Sequence, residues 1–399
     1  MVTTGVTAVL GFAFWLLVAH LYSAHQVGLM TSLISATVLL SYVSLFGLNS
    51  TVVRFLSKSE DPDRMVSTAV ALVFGVGLIV SALYLVGIPL YSPSLEFVRA
   101  NPGYAISFAI FTAMVSVNLF TDSVFIAKRA TQYNIIVDGF IQGGVKLVLP
   151  VLFLGIGSYG IFVAYGSAAA IAVIASLGFM YHALHFRARR PRVSALRSAL
   201  RFSAASYVSS ILNLAPIMVL PILVLNQLGA AQAAYYFIAF QIANLLNAVS
   251  YAIGESLFAE GSQPDADFHG ILRRSARMLL LIQAPAAIAV ALASPFILSA
   301  FGPGYRHNGA TVLTVLALGS LAVAANTWSS FLLKVTRQMP PLIWSNVVYV
   351  IVVVGIAATW AHSGLAAVGL AWDIGNLASA AVALVALAHH LRAGAETSR

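Results

Sequence analysis

Asn134, Asp138, Gln142 and Lys146 recur at four-residue spacing, and the lysine sits inside an otherwise apolar run. Residues four apart share a helix face, so the four would form one polar stripe. Lys146 lies about eleven residues into its run, hence ~16 Å deep at ~1.5 Å per residue. An ionisable group at that depth in hydrocarbon costs at least ~2.5–3.5 kcal/mol and needs a reason to be there. One reason is a hydrated wall whose cation attracts an anionic group. The other is neutralisation inside the helix bundle, by Asp138 through Gln142 or by Asp122 on the preceding run. Gly139 and Gly143 lie beside the stripe and would admit a second helix at close range.

A second polar set, Gln241, Asn244, Tyr251 and Glu255, follows 3- and 4-residue spacing around Ala248, with Asn247 flanking it. That spacing again describes one helix face. Glu255 is either an ordinary interfacial carboxylate or, if buried, a proton-coupling group. Asp373, about nine residues or ~14 Å into the last run, is open to two readings: a coupling-ion ligand or a partner to another polar helix. Asp122 is shallower and close to Lys128 and Arg129, so local pairing is expected there. Arg54, just past the second run, could grip a phosphate in bidentate fashion or serve only as an orientation signal.

The elements that must position these residues are long and apolar. The chain has 399 residues, 60% of them hydrophobic and 8% charged; a soluble chain carries about 25% charged residues. A helix needs about 20 apolar residues to cross a bilayer. Runs of that length fall at 2–20, 28–53, 65–90, 104–127, 135–156, 158–186, 203–227, 232–258, 275–300, 308–333, 341–361 and 364–390. Of 21 Lys and Arg, 18 occupy every second gap or, as Arg277 does, the edge of the run beside it, the tail included; the other gaps hold only Arg99 and Arg306, and Lys146 is deep inside a run. Positive loops mark the cytoplasmic side. The reading is an all-α polytopic membrane protein of about 12 transmembrane helices with both termini cytoplasmic. The start lacks a positive n-region, so the first run is expected to be a retained span.

Whole classes of chemistry drop out. With no cysteine, thiol catalysis, disulfides and thiolate metal sites are impossible. The close histidine pairs, His182/His185 and His389/His390, sit at basic helix ends and read as interfacial groups rather than a metal site. No phosphate-cradling glycine loop, zinc signature or nucleophile elbow occurs, so neither a cofactor nor enzymatic activity is expected. The longest outward loop, Tyr91 to Gly103, has just Glu96 and Arg99 as charged groups, too few for acid–base chemistry on a glycan. The net charge of +9 resides in short membrane-flanking loops, where it addresses anionic headgroups rather than nucleic acid.

The densest basic stretch divides the chain. Residues 1–186 form an expected N-terminal six-helix lobe, 187–202 a basic amphipathic linker, 203–390 a C-terminal six-helix lobe and 391–399 a tail. The linker's Ser194-to-Phe202 portion has apolar residues at helical spacing opposite arginine, as an interfacial helix would. Weak internal symmetry agrees: Leu39-Leu-Ser-Tyr-Val-Ser44 recurs as Leu245-Leu-Asn-Ala-Val-Ser250, and Asn101-Pro-Gly-Tyr104 as Gly302-Pro-Gly-Tyr305. Pro216 and Pro221 should bend the seventh span, as a gate or a static kink.

Gly11-Phe-Ala-Phe-Trp-Leu-Leu-Val-Ala-His20, Gln26-Val-Gly28, Phe46-Gly-Leu48 and Val53-Arg-Phe-Leu56 resemble the opening of bacterial polysaccharide exporters. Asp122-Ser-Val-Phe-Ile-Ala127, Lys146-Leu and Phe301-Gly-Pro-Gly-Tyr305 extend the similarity. These exporters belong to the multidrug/oligosaccharidyl-lipid/polysaccharide flippase superfamily. The resemblance implies a MATE-like fold of two six-helix lobes around a cavity. It also implies transport of polyprenyl-pyrophosphate-linked glycans, with cationic residues receiving the pyrophosphate; here those would be Arg54 and Lys146. Drug-exporting relatives usually carry an acidic residue in the first or seventh span, and the lipid II branch usually has more spans and several cavity arginines. Neither pattern occurs, which favours the oligosaccharide or teichoic-type branch.

The resulting expectation is a flippase that moves a lipid-linked oligosaccharide across the cytoplasmic membrane by alternating access, for surface-polysaccharide biosynthesis. Arg54, Lys146 and Gln142 would face the pyrophosphate; Gln241, Asn244 and Asn247 the sugar hydroxyls; Glu255 and Asp373 a coupling ion. Its partners would be membrane lipids and the glycosyltransferases or polymerase of the same pathway. The alternative is a cation-coupled multidrug antiporter of MATE type, with Glu255 or Asp373 as the proton site.

Overall fold

The computed structural model describes residues 2–192, 197–261, 263 and 268–397, and among them every regular element is helical. The chain divides into two compact units, Met1–Ile211 and Leu212–Arg399. Eleven helices are long and apolar enough to cross a membrane by length and composition, and a shorter apolar helix, Gly5–Leu21, precedes them. The protein is a multi-pass membrane protein.

The first unit contains α1 (Val2–Leu21), α2 (Ala24–Ser44), α3 (Leu48–Phe55), α4 (Pro62–Tyr91), α5 (Glu96–Ala100) and α6 (Pro102–Ala127). Then come a three-residue turn α7 (Gln132–Asn134), a π-helix (Ile135–Gln142), α8 (Gly143–Leu152) and α9 (Tyr159–His182). α10 (Arg197–Leu228) runs from this unit into the second, which continues with α11 (Ala230–Gly261), α12 (Phe268–Ser299), α13 (Pro303–Val335), α14 (Met339–Trp360) and α15 (Leu365–Thr397).

Three spans depart from the runs read in the sequence. The second run, 28–53, is two helices: α2 stops at Ser44, and Phe46 and Gly47 take left-handed backbone (φ 47° and 73°) before α3 begins. An apolar run carries no mark of such a break, because Phe46, Leu48 and Val52 keep hydropathy high through it. Tyr207 donates to the Val43 carbonyl there at 2.6 Å, beside the Phe46 N–H that reaches the same oxygen at 3.4 Å. The fifth run contains the π segment, whose i→i+5 bonding widens the turn. The seventh is one helix from Arg197 to Leu228 with Pro216 and Pro221 inside it. The expected interfacial helix over 194–202 falls partly outside the described residues, as do the side chains of Arg197, Arg201, Arg392 and Arg399; from Arg197 onward the backbone already belongs to α10.

Membrane helices gain little hydrophobic drive from one another and associate through close approach and interhelical polar contacts. The first unit follows that rule. A β-carbon on Gly77 of α4 would stand 2.9 Å from the Ala113 Cα of α6, and one on Gly143 would stand 2.8 Å from Leu10 Cδ1 of α1. Hydroxyls on α2 are satisfied within their own helix, as Ser35 to Thr31 O (2.9 Å) and Thr37 to Leu33 O (3.0 Å), while Ser41 also reaches Thr112 O at 3.1 Å. At the basic end a larger apolar cluster forms, with Leu48, Val52 and Leu56 packed on Met65, Phe120 and Phe125. In both units the Pro-Gly-Tyr motif opens a helix: Pro102 and Pro303 occupy the first turn, behind Asn101 and Gly302 as caps. There proline's missing N–H removes nothing.

Candidate functional site

In the first unit the four-residue stripe lies on the π-helix and its flanks. Asn134 is buried; Asp138, Gln142 and Lys146 are half-buried. In an unbroken α-helix, groups four apart drift steadily around the axis, and the wider π turn counters that drift. The stripe is thereby kept on one face. Gly139 and Gly143 admit α1, whose Val6 Cγ1 and Leu10 Cδ1 would stand 3.0 and 2.8 Å from added β-carbons.

Lys146 Nζ is placed over the ring of Tyr165 on α9, 4.4 Å from its centroid. Asp138 acts on it electrostatically but is itself held by Asn118 of α6, whose Nδ2 donates to Oδ1 at 3.0 Å. Asp122, one turn beyond Asn118, faces Asp138 rather than the neighbouring cations. Asn134 Nδ2 donates to its carbonyl at 3.4 Å. The local pairing expected of Asp122 is therefore replaced by a cross-helix cluster. Lys128 lies instead over the Phe186 ring at 5.1 Å. An ammonium against a ring face is attracted by about 0.5–2 kcal/mol and keeps N–H donors for an incoming anion. Arg54 is exposed at the end of α3, with its guanidinium 5.7 Å from the Phe55 ring centroid.

In the second unit Gln241 and Asn244 are half-buried on α11, and buried Asn247 donates to Asn244 Oδ1 at 3.1 Å. Glu255, farther along α11, is exposed and acts electrostatically on Lys334 of α13; that lysine stands 4.4 Å from the Phe331 ring centroid. Asp373 on α15 is elsewhere in the bundle. Its carboxylate occupies the space a β-carbon on Gly319 of α13 would fill, and Oδ1 is buried without a hydrogen-bond partner. Tyr236 of α11 senses the same carboxylate. One turn along, Asn376 accepts from Asn326 (3.0 Å) and donates to Trp372 O (2.9 Å).

Asn118, Tyr165, Tyr236 and Asn326 were not singled out from the sequence. Asn118 could have been, since it precedes Asp122 by four residues on one span. No three His, Asp or Glu side chains gather into a metal-holding group among the described residues.

The helical order and these polar clusters within a membrane bundle define a fold shared with transporters of the MOP superfamily. A multidrug-resistance MATE family transporter in its inward-facing conformation aligns with a TM-score of 0.76 at 14% identity, over 98% of this chain and 96% of the other. The lipid II flippase MurJ, inward closed, aligns with a TM-score of 0.77 at 11% identity, over 97% and 86%. A MOP superfamily transporter from Pyrococcus furiosus, reported with a binding pocket of reverse polarity, aligns with a TM-score of 0.60 at 15% identity, over 98% and 94%. No curated protein matches the sequence. The chain itself belongs to the family "Polysaccharide biosynthesis protein", whose profile matches residues 1–258.

Proposed function

We propose that this protein is a flippase that moves a polyprenyl-pyrophosphate-linked oligosaccharide across the cytoplasmic membrane by alternating access. The observation that carries the reading is Lys146, a membrane-depth cation held over Tyr165 at the end of a polar stripe, in a chain of the polysaccharide biosynthesis family. Its ammonium receives the pyrophosphate, with Gln142 beside it and Arg54 gathering the anion at the bundle's basic end. Gln241, Asn244 and Asn247 serve the sugar hydroxyls, and the polyprenyl tail remains in lipid. Both termini are cytoplasmic, following the loop charges, and glycosyltransferases or the polymerase of the same pathway supply and consume the lipid-linked glycan. Native mass spectrometry of the gently purified protein tests this. A co-purifying polyprenyl-pyrophosphate glycan, absent from Lys146→Ala, is the expected result; a small amphiphile in its place overturns it.

Asp373 supports a second reading, a cation-coupled antiporter of small amphiphiles. Its half-buried carboxylate has a buried Oδ1 without a partner, as an ion or proton site requires, and Glu255 is the other candidate carboxylate. Lost drug resistance with intact surface polymer, on deletion of the gene, would favour this reading over the first.

A further inference from the structure

At the basic end of the first unit, a cavity of about 410 Å³ opens between the start of α4 and the end of α9. Its lining is mainly apolar and includes Val66, Val70, Leu177 and Met180. Arg187 and Arg189, from the segment after α9, and Asp63 and Ser67, from α4, line it as well. The strap carrying the arginines is built into place. His185 takes left-handed backbone (φ 58°) and turns the chain back, Phe186 N–H bonds Met180 O at 3.0 Å, and the N–H groups of Arg189 and Arg192 donate to Ser67 Oγ and Thr68 Oγ1, each at 3.0 Å. None of these bonds uses a guanidinium.

Arg187 lies over the Tyr181 ring, 5.3 Å from its centroid, with Nη1 3.4 Å from the phenol oxygen. Arg64, the cation next to Asp63 in sequence, is committed to Asp61 at 3.3 Å. Asp63 is half-buried and has no pairing partner among the described residues. So one small cavity is lined by two arginines, one unpaired carboxylate and one hydroxyl besides its apolar residues. It lies at helix ends, where basic and aromatic side chains meet phospholipid headgroups.

We infer that this cavity binds a membrane phospholipid with an aminoethyl-phosphate headgroup. The phosphate takes Arg187 and Arg189 as charge-assisted donors, the ammonium donates to Asp63, and the start of an acyl chain covers Val70 and Leu177. A purely anionic headgroup would leave Asp63 facing like charge, and a quaternary ammonium has no N–H to donate to it. An occupied site would tie the strap to the lipid leaflet. The site is independent of the one proposed for the transported glycan.

The test is lipid titration of the full-length protein, delipidated in detergent and read by native mass spectrometry. Phosphatidylethanolamine should bind about fivefold or more tightly than phosphatidylglycerol or phosphatidylcholine, each carrying the same acyl chains; about 1 kcal/mol of discrimination suffices for that ratio. Arg187→Ala/Arg189→Ala should weaken phosphatidylethanolamine about tenfold. Asp63→Asn should erase the preference over phosphatidylglycerol while leaving phosphatidylglycerol binding in place. Val70→Trp, which enlarges an apolar lining residue without altering charge, should abolish binding of all three at this site. The inference is overturned if phosphatidylglycerol or phosphatidylcholine equals phosphatidylethanolamine on the wild type, or if the double arginine variant retains full binding. It is also overturned if a polyprenyl phosphate displaces phosphatidylethanolamine at equal concentration and is lost with the same variants.

Discussion

Lys146 Nζ stands 4.4 Å from the centroid of the Tyr165 ring, and these two residues come from separate helices of the first unit. Spacing alone offered this ammonium only carboxylate partners, and the ring is a further one. Asp138, eight residues before the lysine, accepts from Asn118 at 3.0 Å and acts on the ammonium electrostatically, while the ring supplies the direct contact. A ring partner steadies the cation without consuming its charge, as the proposed anion-binding role would require.

Substitutions should separate the charge from its support. Lys146→Ala is expected to abolish surface glycan while protein abundance stays near normal. Tyr165→Leu removes a contact of about 0.5–2 kcal/mol and should lower lipid-linked glycan flipping in proteoliposomes by about three- to tenfold. Tyr165→Phe keeps the ring face and should remain within about twofold of wild type. Loss of folded protein in all three variants would mean that the pair is purely structural.

The Asp373–Gly319 contact leads to a stability prediction. The carboxylate fills the β-carbon position of Gly319, so Gly319→Ala forces a short side chain aside, and overpacking of this kind costs about 1–3 kcal/mol. The melting temperature of the purified protein should fall by several degrees. Adding Asp373→Ala should recover most of that loss, since residues in contact are not additive. If Asp373 holds the coupling ion, Asp373→Asn should leave the melting temperature close to wild type yet make transport insensitive to the ion gradient.

Much of the fold was legible because charge is expensive in lipid: the basic residues could only sit in gaps, and the gaps gave the spans. The same expense made Lys146 and Asp373 visible. What supports them was not legible. Tyr165 and Tyr236 sit among apolar residues with no period of their own, and only the tertiary fold brings them to the charged groups. Gly47 looked like any glycine in an apolar run until its left-handed backbone ended α2. Hydropathy is equally blind to the π segment, since its residues are as apolar as an α-helix would require. Gly139 and Gly143 were readable as a place of close approach, though nothing in the sequence said that α1 would be the helix to arrive.

That approach can be tested directly. A β-carbon at Gly143 would stand 2.8 Å from Leu10 Cδ1 and 3.1 Å from Leu10 Cβ, so Gly143→Val should push α1 away and reduce the yield of folded protein. Leu10→Ala in the same chain should recover part of the loss. Gly144, with open space where its β-carbon would be, should accept alanine with a melting temperature within about 1 °C of wild type, as expected of a substitution away from packed features.

The natural absence of cysteine makes the protein its own background for thiol labelling. Gln142, Lys146 and Asn244 are half-buried, and the transport reading requires water to reach all three at membrane depth. Gln142→Cys, Lys146→Cys and Asn244→Cys should each react with a membrane-impermeant methanethiosulfonate in cells or inside-out vesicles. Ile79→Cys, at a position 61% exposed on α4, should resist the same reagent because its surroundings are acyl chains. Lys58→Cys and Arg129→Cys should label only from the cytoplasmic face, which checks the orientation read from the loop charges. Exposure to solvent and exposure to lipid look alike in the geometry of a bundle, and this experiment tells them apart. If positions 142, 146 and 244 are as unreactive as position 79, no hydrated path reaches Lys146, and a pyrophosphate has no route to its ammonium.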